Sequence, residues 1–254
     1  MNPASKRIGS VPYLNSVPLT YGIEEEIDFV VPSALAKKIR AGELDAALVS
    51  ITEGLFHEGY DILDRVAVAS DGPVKSVFLA HHQRLEEIQT IYCDTASLTS
   101  VNLLRVLLAE RGISPVFEPL PDYSQASELE NVLLIGNPGI DFLRAPHEQT
   151  IWDLGTAWKE LTNLPFVYAV WALRRGHHDE ALRKKLLLAK ENGINHLTDI
   201  IATHPDYDAD FRHAYLGGHI RHDLGEHEKA GLDKFIELLK THGNQPVIEP
   251  RMVG

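Results

Sequence analysis

Residues 89–112 read "QTIYCDTASLTSVNLLRVLLAERG". The first five, 89–93, are short and β-prone, with Ile91, Tyr92 and Cys93 apolar, and they stop at Asp94. A run of mostly small or polar residues, 94–100, follows. Then Leu103, Leu104, Leu107 and Leu108 recur at helical spacing until Gly112, a residue suited to closing a helix. Strand, polar turn and helix make half of a βαβ unit. In such units ligands gather at the carboxyl end of the strand, where this polar turn lies.

The same grammar extends outward. Upstream, "RIGSV" reads as a strand, 18–23 as a short helix opened by Pro18, and "IDFVV" as a second strand. "PSALAKKIRAG" reads as a helix with Ser33 as N-cap, Lys37, Lys38 and Arg40 near its end, and Gly42 just past it. "LDAALVS", "YDILDRVAVAS" and "VKSVFLAHH" read as further strands. Downstream come strands at "PVFEPL", "NVLLIG" and "FVYAVWALRR", and then helices at "DEALRKKLLLAKENGI", "TDIIATHP" and "EHEKAGLDKFIELLKTHG". This order predicts an α/β chain with parallel sheets. Two similar halves predict two lobes around a cleft. Residues 1–84 with 172–254 would form one lobe and 85–171 the other, joined by strands near 74–82 and 166–174.

The chain has 254 residues, enough for two modest cores. Its net charge of -12 disfavours nucleic acid and anionic membrane surfaces as partners. The single cysteine, Cys93, permits no intrachain disulfide. The first residues lack an apolar signal region, and no apolar run reaches spanning length, so a cytoplasmic protein is expected, a monomer or weak homodimer.

Candidate site residues cluster at predicted strand ends. After the first strand comes "VPYLNSVP", which presents Tyr13 and Asn15 between two prolines. A tyrosine there can wall a planar ligand or fill a core, and an asparagine can hold a hydroxyl or carboxylate or make a turn. Ser50 follows the third strand, and Ser76 lies on the first joining strand. Ser97, Thr99 and Ser100 open the long helix, where free N–H groups and hydroxyls suit a carboxylate or phosphate. A polar first turn is also common to most helices. Gly136 and Asn137 follow "NVLLI". Thirteen histidines raise the question of a metal, with His219 and His222 spaced to share a helix face, but no H-E-x-x-H or neighbouring cysteine supports one. The His81-His82 and His177-His178 pairs read as exposed strand ends. No G-x-G-x-x-G, Walker A or G-x-S-x-G motif is present, so no nucleotide cofactor and no serine hydrolase is expected.

Seven segments in order, "GSVPYLNSVPLTYG", "LDAALVS", "GPVKSVFLAHH", "CDTASLTSVNLLRVLL", "LLIGNPG", "WDLGTAWKELTNLPFVYAVWA" and "YLGGHIRHDLGEHEKAGLDKF", resemble the chorismate dehydratase family of the futalosine route to menaquinone. The resemblance runs from Ile8 to about Leu239. It implies the two-lobed type II periplasmic-binding-protein fold without export, no cofactor, and the small dicarboxylate chorismate as substrate. One departure stands at Asn137, where the family usually carries Asp.

The implied reaction removes water from chorismate to give 3-[(1-carboxyvinyl)oxy]benzoate. The expectation is that Asn15 meets the reacting region, Tyr13 walls the ring, and Ser97, Thr99 and Ser100 hold a carboxylate with help from Ser50, Ser76, Gly136 and Asn137. The matched segments offer no evident protein base, so the substrate's own side-chain carboxylate is the expected proton acceptor. The competing expectation is a non-catalytic solute-binding protein of the same fold. A regulator's ligand-sensing lobe is a weaker third, since no helix-turn-helix pattern precedes the first strand.

Overall fold

The computed structural model describes residues 7–94 and 98–254. Along the chain, β1 (Ile8–Ser10), α1 (Val17–Thr20), β2 (Ile27–Phe29), α2 (Pro32–Arg40), β3 (Ala46–Ser50), α3 (Ile51–Phe56) and β4 (Tyr60–Ser70) come first. Then follow β5 (Val77–His81), β6 (Thr90–Cys93), α4 (Leu98–Ala109), β7 (Val116–Pro119), β8 (Asn131–Ile135), α5 (Gly136–Arg144), β9 (Thr150–Asp153) and α6 (Leu154–Thr162). The last elements are β10 (Phe166–Arg174), α7 (Glu180–Asn195), α8 (Leu197–Thr203), α9 (Ala209–Ala214), α10 (Glu226–His242) and β11 (Met252–Val253).

Local chemistry sets most boundaries. The helix α2 starts at Pro32, whose fixed φ suits a first helical position, with Val31 at the cap and no side-chain capping bond. Ser33 therefore sits inside the first turn and is not the N-cap. Gly42, at φ 73°, ends the turn after α2 as expected. The first helix is shorter than its sequence suggests, because Tyr21 turns extended and Gly22 adopts φ 80°. Residues 136–139 form the first turn of α5, entered through Gly136 at φ 58°.

The chain divides into two compact units. One holds the residues up to Ala69 together with Val167–Gly225 and Ile248–Gly254; the other holds Ser70–Phe166 and Glu226–Val247. One passage, between Phe166 and Val167, falls within the expected 166–174, and another differs from the expected 74–82. The latter falls at the end of β4, and β5 lies wholly within the second unit's sheet. The segment Glu226–Val247 leaves the first unit because Phe235 of α10 packs edge-to-face on Trp158 and Phe166, with ring centroids at 5.9 and 4.9 Å.

The first unit carries a six-stranded sheet of order β11-β4-β10-β3-β1-β2. β1 is parallel to β2 and β3, whereas β10 runs antiparallel to β3. On one face Leu35 and Ile39 of α2 pack on Ala47, Val49, Tyr60 and Ala172. The second unit carries a five-stranded sheet of order β7-β6-β8-β5-β9. There β6 is parallel to β7 and β8, while β5 is antiparallel to both β8 and β9. Both sheets are thus mixed rather than parallel. In each, the reversed strand, β10 or β5, enters after a passage between the units and not through a βαβ crossover, so nothing forces it into the parallel direction. No described helix is long and apolar enough to cross a membrane.

Candidate functional site

In the first unit, β1 and β3 are parallel neighbours, so the segment after Ser10 and the residue Ser50 emerge at the same end of the sheet. The loop after β1 is held from within. Ser16 donates its hydroxyl to the carbonyls of Val11 and Tyr13, at 2.7 Å each, and its N–H to Tyr13 O at 2.9 Å. Leu14 and Ser16 are buried, so the intervening residues, Tyr13 and Asn15, are the half-exposed ones. From outside the loop, His222 Nε2 lies 3.0 Å from the Asn15 carbonyl oxygen. No described residue hydrogen-bonds the Asn15 carboxamide, which leaves two donors and an acceptor for a ligand.

Ser50 is the last residue of β3 and the cap position of α3, where it makes no side-chain capping bond. Three residues on, Glu53 is buried, and burial pushes its carboxyl above the ordinary carboxylate value. It faces Arg40 Nε at 3.2 Å and Tyr60 Oη at 3.4 Å. This acid is engaged in the protein interior.

In the second unit, strand directions bring several candidates to one end of the sheet. β6 and β8 are parallel, so α4 and α5 both begin there. The antiparallel β5 starts at that end, and Gly136 N–H donates to Ser76 O at 2.8 Å. The sheet therefore gathers Asp94, Thr99, Ser100, Ser76, Gly136 and Asn137. Neither helix has an acidic residue in its first turn, so neither positive helix end is neutralised from within. Thr99, Ser100 and Ser76 are buried, and Asn137 is half-buried. Ser97 and Thr95 lie outside the described residues. Asp94 is buried and accepts from Tyr123 Oη at 2.6 Å.

Asp153 is the residue that sequence reading passed over. Its carboxylate caps α6 by accepting from Thr156 N–H at 2.9 Å. The same group accepts from Val74 N–H at 3.1 Å and Lys75 N–H at 2.8 Å. Lys75 adopts φ 62°, so the carboxylate holds a strained turn directly before Ser76. The visible signal was the spacing of Asp153 and Thr156 before an amphipathic run, a helix N-terminus pattern.

The histidine expectations change. His219 closes a π turn, Tyr215–His219, and His222 lies beyond it, so the two share no helix face. His222 is buried. His81 is buried as well, with Nδ1 2.7 Å from Gln83 O, and His178 Nε2 lies 2.8 Å from the buried Asp61 carboxylate. His81 and His178 are thus buried and held, whereas His82 and His177 are exposed as expected. Among the described residues no three metal-ligating side chains come together.

Two mixed-sheet α/β units built in this strand order define the solute-binding-protein fold. The alkanesulfonate-binding protein SsuA from Xanthomonas axonopodis pv. citri, solved with MOPS bound, has a TM-score of 0.70 at 15% identity over 97% of this chain and 96% of its own. An Archaeoglobus fulgidus protein reaches 0.68 at 19% identity over 95% and 99%. These likenesses concern the fold. The chain itself belongs to the menaquinone biosynthesis family, whose model matches residues 6–241. It is similar to the chorismate dehydratase of Thermus thermophilus, 32% identical over 260 aligned positions, covering 91% of this chain and 94% of that one. It is also similar to the chorismate dehydratase of Campylobacter jejuni, 25% identical over 90% and 91% of the two chains.

Proposed function

We propose that the protein is a chorismate dehydratase, a hydro-lyase working in the cytoplasm. The observation that carries this reading is the 32% identity to the Thermus thermophilus chorismate dehydratase over nearly the full length of both chains. The pinned loop of Tyr13 and Asn15 supports it. In the reaction, the C3–H and C4–O bonds of chorismate break and a C3–C4 double bond forms. Water leaves, and the ring becomes aromatic as 3-[(1-carboxyvinyl)oxy]benzoate.

Asn15 hydrogen-bonds the reacting region with its unclaimed carboxamide, and Tyr13 lies against the ring. The first turn of α4, with Thr99 and Ser100, holds a carboxylate through backbone N–H groups and hydroxyls, and Ser97, next to it in sequence, is a further candidate. The first turn of α5, with Gly136 and Asn137, and Ser76 are further substrate-binding candidates in the same unit, and Ser50 is one in the first unit. Asn at 137 supplies a donor without a charge, which suits a dianionic substrate. Two buried acids that neighbour candidate residues in sequence are already engaged, Glu53 with Arg40 and Asp94 with Tyr123. The substrate's side-chain carboxylate takes the C3 proton. Aromatisation makes the step downhill, so holding the reacting groups in line supplies much of the acceleration.

The fold also favours a second reading, a solute-binding protein for a small carboxylate. Incubating purified protein with chorismate separates the two. Catalytic accumulation of the carboxyvinyl-oxybenzoate, followed by chromatography and ultraviolet absorbance, is the expected result. Saturable binding with unchanged chorismate would replace the enzyme reading with the binding one.

A further inference from the structure

The Asn15 carbonyl is an acceptor that local structure leaves poorly served. Three residues on stands Pro18, which has no N–H to close a tight turn onto it. His222 meets it instead, 207 positions away in sequence, with Nε2 at 3.0 Å. A carbonyl only accepts, so Nε2 carries the hydrogen and the ring is held in that tautomer.

His222 is itself tied to β4. Ala67 N–H donates to His222 O at 3.3 Å, and Arg221 and Ala69 exchange backbone bonds of 2.8 and 2.9 Å. Ala69 is the last residue of the first unit on that strand. The ring thus bridges the loop bearing Asn15 and the strand by which the chain leaves the unit. Its charged neighbours are Lys190, from α7, and Asp223, alongside in sequence. Burial, foremost, lowers its pKa to about 4, so the imidazole is neutral near pH 7.

We infer that His222 is a positioning residue for Asn15, tying that residue's peptide to β4 and so setting the direction of its carboxamide. The inference rests on the role proposed for Asn15 above. A neutral ring suits the task, because it orients by a hydrogen bond without placing a full charge beside the reacting dianion.

The test has two arms. Nitrogen-15 spectra of the unmodified protein at pH 7 read the tautomer without any substrate. Protonated Nε2 is expected for His222, and protonated Nδ1 overturns the inference. The kinetic arm compares His222→Ala, His222→Gln, Asn15→Ala and the double variant His222→Ala/Asn15→Ala on chorismate. We expect kcat to fall about ten- to hundredfold in His222→Ala, with a smaller change in KM. The amide donor of His222→Gln should recover much of that loss. The double variant should be no slower than Asn15→Ala, because the two act as one unit. A loss in the double variant equal to the product of the single losses would assign His222 to general stability and overturn the inference. If His222→Ala does not fold, the His222→Gln comparison, alone and combined with Asn15→Ala, carries the same cycle. If the unmodified protein forms no product from chorismate, the enzyme reading fails, while the tautomer still decides the His222–Asn15 bond.

Discussion

Gly193 of α7 lies so close to Pro18 of α1 that a Cβ placed on it would stand 2.0 Å from the Pro18 carbonyl oxygen. A backbone carbonyl cannot rotate away as a side chain can, so α1 must move or α7 must yield. Gly193→Ala is expected to cost about 1–3 kcal/mol, the range for forced overpacking. Because α1 starts two residues after Asn15, dehydratase activity should fall as well. Gly231→Ala is the matched control, since its Cβ would stand 2.0 Å from Pro165 O in the second unit. That variant should lose comparable stability but less activity per degree of melting temperature lost. Calorimetry with parallel assays checks both; an unchanged melting temperature in Gly193→Ala would refute the close packing.

Asp153 serves three backbone N–H groups, on Thr156, Val74 and Lys75. Asp153→Ala removes a helix cap and leaves the turn before Ser76 without its acceptor. The cap alone is worth about 0.5–2 kcal/mol. The larger consequence should be a raised KM, because the turn sits at the sheet end where α5 begins. Asp153→Asn, which keeps one acceptor oxygen, should fall between the alanine variant and the unmodified protein. Equal KM values in all three would remove Asp153 from the site.

Asn15→Asp changes one donor group into a negative charge. Two unit charges about 4 Å apart at an effective dielectric of 20 repel by about 4 kcal/mol, so a drop of roughly a hundredfold or more in kcat/KM is expected with a dianionic substrate. The loss should ease at low pH as the new carboxyl protonates. Near-normal turnover at neutral pH would sink the role given to Asn15.

Acid should weaken the fold in two separate windows. His222 is lowered from 6.5 to about 4, by burial first. The unfolded chain therefore takes up that proton earlier, and stability is complete above pH 6.5 and is lost as pH falls towards 4. Burial would raise the pKa of Asp45, but hydrogen bonds from Arg174 and Arg7 outweigh it and hold the carboxyl at about 2, below its ordinary 3.8. Its contribution is present above pH 3.8 and disappears as pH falls towards 2. Each window has a slope of at most about 1.4 kcal/mol per pH unit. Denaturant titrations across pH should show both limbs, and His222→Gln should flatten the upper one. A flat profile between pH 6.5 and 4 in the unmodified protein would contradict the burial of a neutral His222.

The α4 leucines at 103, 104, 107 and 108 announced their helix, Gly42 marked a turn that the fold keeps, and Pro18 a helix start. These features are local: a propensity, a missing N–H or an apolar period acts on its nearest neighbours. The candidate residues were legible for the same reason, since polar turns after apolar strands mark the carboxyl ends of β1, β3, β6 and β8. Asp153 was not singled out, although its capping pattern was present, because its bonds to Val74 and Lys75 join segments far apart in sequence.

The sequence by itself thus determined the alternation of strands and helices, the loop that presents Tyr13 and Asn15, and the uncharged first turns of α4 and α5. Only the tertiary structure decided that β5 runs against β8 and β9 and β10 against β3, that α10 joins the second unit, and that His222 serves the Asn15 carbonyl. Strand direction follows from where the chain re-enters a sheet, and α10 is placed by the burial of Phe235 against Trp158 and Phe166. A carbonyl left unserved by Pro18 can be satisfied by any donor that packing brings within reach. Which donor that is, 207 residues away, no local pattern could specify.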